Sequence, residues 1–260
     1  MIAAESYNTR LGAGLGLIEE AQILLELWHD SMPVPELISV ARESGQFSGV
    51  SARRLKNLIS EGFSTRYLTD GGAPAKLLKQ IVSEDQSTVF RQLCFVFTCR
   101  AHRILADFVT AVYWPSYAAG KDVISNEESL EFVRRINNDG LTAAPWSESI
   151  QRRVASYLTG CCADFGLLEN GMKKVRRILP FRIDARTAAV LAYERHFAGL
   201  SDNAVITDES WSWFGCDRQE VMSELQRWAR RNLLIVQSGA ELVKIDWTCK
   251  TVREVIHGIR

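Results

Sequence analysis

Six cysteines, four histidines and three closely spaced glycines are the residues whose types could carry chemistry, and their spacing decides what they can do. Cys94, Cys99, Cys161, Cys162, Cys216 and Cys249 form no C-x-x-C pair, and adjacent Cys161 and Cys162 have poor geometry for an ordinary disulfide. His29, His102, His196 and His257 lie at no zinc-ligand spacing from one another or from a cysteine. The expectation is reduced cysteines packed as small hydrophobes, no metal, no cofactor, and His102 as an exposed bystander. Gly12, Gly14 and Gly16 read G-x-G-x-G, with no strand before them and no G-K-[ST] after, so close backbone packing or approach to a partner fits better than a phosphate cradle. There is no nucleophile elbow and no H-E-x-x-H. The acidic pairs Glu19-Glu20 and Glu127-Glu128 are the kind that face water on a helix. Nothing here points to an enzyme.

The remaining chemistry is charge. Between Ser147 and Arg186 there are eight Lys/Arg against four Asp/Glu, in a chain whose net charge is zero. Phosphate contact needs such cations on rigid elements. Arg152 and Arg153 fall in the first turns of a helix that Ser147 is placed to cap, with Ile150, Val154, Tyr157, Leu158 and Cys161 at helical spacing. Phe165-Gly166 ends it. Leu167-Leu168 and Val175–Leu179 then read as a hairpin around Gly171, carrying Lys173, Lys174, Arg176 and Arg177, with the apolar residues turned partly inward. A helix followed by a basic hairpin is how a winged helix presents itself to DNA, and equally how a solvated face serves protein contacts. Secondary candidates are Arg53, Arg54 and Lys56 in a helix-turn-helix-like pair, which also reads as a plain helical hairpin. Residues 1–85 hold eight basic and eleven acidic residues, which weakens that claim. In the last segment Arg218, Arg227, Arg230, Arg231 and Lys244 correspond, within nine basic and ten acidic residues from Thr187 onward.

The elements that would position these residues are mostly helices. Periodicity and breakers predict helices near 17–30, 36–43, 51–63 and 74–82. One long helix over 86–113 should follow, with a stripe from Phe90 to Val112, until Pro115 stops it. Ser125 or Asn126 caps the next helix, which ends at Asn137–Gly140, and 141–145 reads as a linker. The fold class is therefore mainly α. A helical domain, 1–140, precedes 141–260, two winged-helix-like units (about 146–200 and 201–260) with short β-hairpins. Leu167-Leu168 and Leu233-Leu234, with Gly171 and Gly239, suggest that the two units repeat. Still within the first, Asp184 caps a helix with Ala188, Leu191, Ala192 and Phe197 inward. In the second, Trp211, Trp213 and Phe214 form an aromatic cluster, and Asp217 caps a helix with Val221, Leu225 and Trp228 as core. A hairpin over 233–246 and a helix over 250–259 close the chain. No run is long and uninterrupted enough to cross a bilayer and no signal peptide is evident, so a cytoplasmic protein with no membrane contact is expected.

Four stretches carry a resemblance: NTRLGAGLGLIEEAQILLELW, the SARRL helix, WSESIQRRVASYLTGCCADFGLL and the terminal LIVQSGAELVKIDW. Together they are similar to the BrxA proteins of the bacteriophage exclusion (BREX) systems of bacteria and archaea. The resemblance implies a mostly helical protein without assigned catalysis, acting in phage defence beside other BREX proteins. Members of that family are associated with DNA binding and have been likened to RNA-binding antitermination factors of the NusB type. The expected function is thus a non-enzymatic component contacting double-stranded DNA through phosphates. The alternatives are a scaffold bridging BREX partners, for which exposed aromatics at 211–214 would serve, and RNA binding.

Overall fold

In the computed structural model, residues 7–83, 87–171, 174–238 and 243–260 are described. Lys173 lies outside them. The helices in chain order are α1 Ile18–Leu27, α2 Val34–Glu43, α3 Ala52–Asn57, α4 Ser64–Tyr67, α5 Ala73–Val82, α6 Ser87–Ala101, α7 Arg103–Phe108 and α8 Trp114–Ala118. They continue with α9 Asn126–Asn138, α10 Glu148–Asp164, α11 Ala185–Phe197, α12 Asp202–Ile206, α13 Arg218–Ala229 and α14 Val252–Gly258. Four strands accompany them: β1 Val123–Ser125, β2 Val175–Arg177, β3 Leu234–Ser238 and β4 Val243–Trp247. The protein is mainly helical, as its periodicity requires.

Two compact units form, one from residues 1–79 with 94–181, the other from 80–93 with 182–260. The basic stretch 146–181 therefore groups with the N-terminal helices, not with the C-terminal segment as a division at 140 would have it. Residues 141–146 are pinned, too. Tyr7 bridges to Thr142 and donates its amide to Leu141. The amide of Trp146 donates to Asn137 Oδ1 at 2.6 Å.

In the first unit the caps follow the sequence. Ser51 Oγ accepts the Arg54 amide at the start of α3. Ser125 and Glu128 form a reciprocal capping box on α9. Ser147 occupies the N-cap of α10, but its hydroxyl lies against Ser149 Oγ and caps no amide. Leu55, Leu58 and Ile59 are buried as the helical stripe demands. Two departures have clear causes. The expected single helix over 86–113 breaks at His102, whose φ of −132° and ψ of 81° end α6 and restart the chain as α7. Pro115 does not stop it. A π-helical turn, Val109–Tyr113, runs helically into α8, which carries Pro115 in its first turn; the register change at the π-turn accommodates the ring and the missing N–H.

The hairpin expected over 167–179 is replaced by another pairing. β2 runs antiparallel to β1, with Val123 opposite Arg177, Ile124 opposite Arg176 and Ser125 opposite Val175. Among the described residues the local pairing is reduced to a bridge, Leu168 to Ile178, flanked by the Glu169 amide on the Arg177 carbonyl and the Leu179 amide on the Leu167 carbonyl, each at 2.9 Å. Gly166 and Gly171, at φ +87° and +111°, turn the chain away between them. The proposed repeat fails on this point, because the C-terminal unit does form a hairpin, β3 with β4, in register from Leu234–Trp247 to Ser238–Val243.

That second unit is organised around α11, buried continuously from Thr187 to Tyr193, with α13 and α14 packed on it. Asp184 caps α11 and Asp217 with Glu220 boxes α13. Gln92 ties residues 80–93 into the unit by donating to the Arg182 carbonyl at 2.7 Å and accepting the Asp184 amide at 2.9 Å. Trp228 Nε1 donates to the Ala185 carbonyl at 2.7 Å. Asp202 receives both the Ile245 amide and Trp247 Nε1 at 2.9 Å, fixing the hairpin to α12. Phe197, expected inward, is 38% exposed at the end of α11. Trp211, Trp213 and Phe214 are buried in a 3-10 turn, Glu209–Phe214, so they offer no aromatic docking surface.

The tightest packing in the first unit involves the early glycines, whose role is close approach as their spacing suggests. A Cβ on Gly16 would stand 2.5 Å from Asp164 Cβ, and one on Gly12 would stand 2.4 Å from Tyr157 Cε2. The Tyr157 ring can swing, whereas Asp164 Cβ is fixed to the last turn of α10. Gly16→Ala should therefore destabilise the protein by about 1–3 kcal/mol. Gly49→Ala, with nothing within 4 Å of the new methyl, should be neutral or slightly stabilising. Urea midpoints of the two variants check the contrast; equal midpoints would mean that the segment yields freely.

Candidate nucleic-acid interface

The segment Asn8–Leu17 builds one wall of a cleft. Asn8 Oδ1 accepts the Arg10 amide at 3.0 Å and starts a 3-10 turn, Arg10–Ala13, that buries Leu11. Leu15 and Leu17 then take positive φ, 38° and 52°, a conformation that side-chain-bearing residues rarely adopt. Two hydrogen bonds hold this turn. The Gly16 amide donates to Asp164 Oδ2 at 3.0 Å, and Arg66 Nη1 donates to the Leu15 carbonyl at 2.6 Å. The turn thus lies against α10 on one side. On the other it meets a π-helical turn, Leu58–Phe63, that continues α3, where Gly62 leaves room for Leu17 and Ala13.

Between these three pieces lies a cleft of about 270 Å³, lined among others by Arg10, Gly12, Asn57, Glu61, Arg153 and Tyr157. Arg53 and Arg54 sit one helical turn before Asn57, and Arg53, Arg54 and Lys56 are all exposed. The structure thereby brings Arg153 of α10 to one opening with the end of α3, the helix that carries the secondary candidates, although Arg53, Arg54 and Lys56 do not themselves line it. Arg10 and Asn57 do line it, and neither stood out in the sequence. Their only signal was proximity to the glycine run and to SARRL.

Pairing separates these cations from their neighbours. Arg152 is bound by Glu148 at 2.5 Å, and Arg134 by Glu127 at 2.8 Å. The Arg152 ion pair holds the Glu148 carboxyl below its usual range. Arg10, Arg53, Arg54, Lys56 and Arg153 have no carboxylate partner among the described residues. A second cleft of about 390 Å³ shows the contrast. Its Lys121 and Arg135 face Glu128 and Glu131, and Lys121 is bound to Glu128 at 2.8 Å. That surface is neutralised internally.

The strand candidates divide. Lys174 and Arg177 are exposed, but Arg176 turns inward, opposite buried Ile124, and donates from Nη1 to the Glu169 carbonyl at 3.0 Å. Val175 is left 45% exposed, the reverse of the expected alternation, because register with β1 and not local pattern sets the faces. In the second unit Arg230 and Arg231 are exposed just after α13, with Arg231 5.2 Å from the Trp228 ring centroid. Arg218 donates to Asn203, Arg227 pairs with Glu224 at 3.3 Å, and Lys244 with Asp246 at 3.7 Å.

Behind the Leu15 turn lies a buried polar group. Arg66 is 2% exposed and His102 3% exposed, so His102 is no exposed bystander. Burial, then the charges of Arg66 and Arg10, push His102 down to about 3. Asp164, half-buried on α10, is pushed up by burial against the opposing pull of the Gly16 amide, Arg176 and Arg66. Cys94, Cys99, Cys161 and Cys162 are buried free thiols, and burial pushes Cys161 up to about 12. Among the described residues no group of three His, Cys, Asp or Glu comes together to hold a metal, and no helix is long and apolar enough to cross a membrane.

The fold is mainly helical, and its first unit places Arg10 and Arg153 at a cleft beside α3. The BrxA family pattern matches residues 5–195, and the chain belongs to the BrxA family, which implies a part in BREX-related phage defence. Among solved structures, an uncharacterized protein from Magnetospirillum magneticum is similar over 77% of this chain and 96% of that one, with a TM-score of 0.55 at 18% identity. That likeness shows the fold. No curated protein matches the chain.

His102 gives this site a pH signature. Its folded value, about 3, lies below the ordinary histidine range, so between there and about 6.5 the unfolded chain binds a proton that the folded chain does not. Stability should fall as pH drops through that window, with up to about 1.4 kcal/mol per pH unit from this residue. His102→Asn should remove that part of the slope in denaturation at pH 7, 6, 5 and 4. An unchanged slope would mean that His102 is solvated.

Proposed function

We propose that this BrxA-family protein is a non-enzymatic DNA-binding component of its defence system, and that it grips duplex phosphates around the cleft between α3, the Arg10–Ala13 turn and α10. The observation that carries the reading is that exposed Arg10 and Arg153 meet at one cleft, with exposed Arg53, Arg54 and Lys56 on the helix that supplies Asn57 to it, all without a carboxylate partner among the described residues, in a chain of zero net charge. An exposed cation already held by a carboxylate gains little from a phosphate; a free one exchanges condensed counterions for it. Helices hold these cations at fixed spacing, so they position a backbone without reading bases. Glu61 within the cleft disfavours deep entry of a phosphate, which places the contacts at the rim.

The C-terminal unit adds a second, weaker surface. Three helices, α11 to α13, followed by the β3–β4 hairpin have the order of a winged helix, with Arg230, Arg231 and Lys244 on its last helix and strand. A scaffold role through the aromatics at 211–214 has lost its support, since they are buried.

The test is an anisotropy titration with duplex DNA at several salt concentrations. The quadruple variant Arg10→Ala, Arg53→Ala, Arg54→Ala, Arg153→Ala should bind about 10- to 100-fold more weakly on unrelated sequences, with a salt slope flatter by roughly 0.9 per lost phosphate contact. Arg152→Ala, whose cation is already paired, should stay within about twofold, since an exposed ion pair of this kind carries little energy. A folded quadruple variant that binds like the parent would remove the cleft from the DNA surface. The strand set Lys173, Lys174, Arg176 and Arg177 to alanine would then be the next surface to test. Competition by structured RNA of equal length separates the RNA alternative.

A further inference from the structure

We propose that the open edge of Arg66 is a buried binding site for a small oxyanion. Arg66 is the only buried arginine among the described residues, and only one arm of its guanidinium is used. Nη1 donates to the Leu15 carbonyl at 2.6 Å and reaches Thr98 Oγ1 at 3.5 Å. Nε and Nη2 have no protein acceptor. Those two N–H groups point in parallel and are the pair that a carboxylate, nitrate or phosphate engages with two oxygens. Both ring nitrogens of His102, close enough to feel the Arg66 charge, are equally without a protein partner.

The charges around the pair leave it cationic. Arg10 adds its field at His102, and burial keeps the thiols of Cys94 and Cys161 neutral. Asp164 is the carboxylate that feels Arg66, but it makes no ion pair with it and its Oδ2 is taken by the Gly16 amide. Burying a guanidinium with unmade donors is among the costliest arrangements a core can hold. A water molecule would satisfy the donors only. An oxyanion satisfies the donors and the charge. The site is independent of DNA, yet the same arginine secures the Leu15 turn that walls the cleft.

The experiment is thermal unfolding of the full chain in sodium phosphate, sodium nitrate and sodium chloride at matched ionic strength. Either oxyanion should raise the Tm by roughly 2–4 °C over chloride at saturation. Arg66→Lys keeps the charge without the parallel pair and should abolish the increment. Arg10→Ala/Arg153→Ala, which removes cleft cations, should retain it. If that variant loses the increment, or if phosphate and nitrate act like chloride, the proposal is wrong, whatever the outcome with DNA. Should Arg66→Lys fail to fold, the slowly exchanging Nε–H resonance of the buried arginine in the parent decides. Phosphate should shift it and chloride should not; an unmoved resonance overturns the site.

Discussion

The Gly16 amide on Asp164 and the Leu15 carbonyl on Arg66 fix a turn that would not hold its shape alone. Leu15 and Leu17 sit in the left-handed region, at a cost of about 1–2 kcal/mol each. Contacts on both sides over-determine the conformation, the condition under which such strain persists. The turn places Arg10 across from Arg153, and the π-helical turn at Leu58–Phe63 brings Asn57 to the same opening. A Cβ at Gly16 would push these parts away from the end of α10, so the cleft depends on a backbone that comes closer to a helix than any side chain allows.

Charge on this protein is a matter of pairing more than of number. Arg152 and Arg153 are neighbours on α10, yet Glu148, four residues before Arg152, binds the first and leaves the second to the cleft. The same division runs through the rest of the surface. Lys121 and Arg134 are held by Glu128 and Glu127 on α9, whereas the three cations of α3 have no carboxylate partner among the described residues. Net charge of zero is therefore compatible with a locally cationic rim, because the acids are spent on particular partners.

What the sequence made legible was local. Ser51, Ser125, Asp184 and Asp217 start their helices as their types and positions require. Leu55, Leu58 and Ile59, and Val221, Leu225 and Trp228, face the core at helical spacing. The β3–β4 hairpin closes between two apolar runs a few residues apart. What could not be read was set by distance along the chain. β2 has only three residues, and its partner lies some fifty residues earlier, so no alternation within Lys174–Leu179 could announce that Arg176 turns inward. His102 carried no sign of burial either, because the break that places it in the core is a single residue inside an otherwise continuous helical pattern. The cleft itself joins residues 10, 57 and 153, each unremarkable in its own window.

The basic run that drew attention first illustrates how topology reassigns meaning. Read locally, K-K-V-R-R is a wing. Paired with β1, its residues Val175–Arg177 become one strand of a two-stranded ribbon in which Arg176 donates to a carbonyl and Val175 is exposed. Its neighbour in sequence, α10, passes instead to the cleft through Arg153. The local charge excess of 147–186 is thus divided between two surfaces. Arg153, on the α10 half, shares its cleft with Arg10 from a separate segment, so the tertiary fold and not the local run decides which cations stand together.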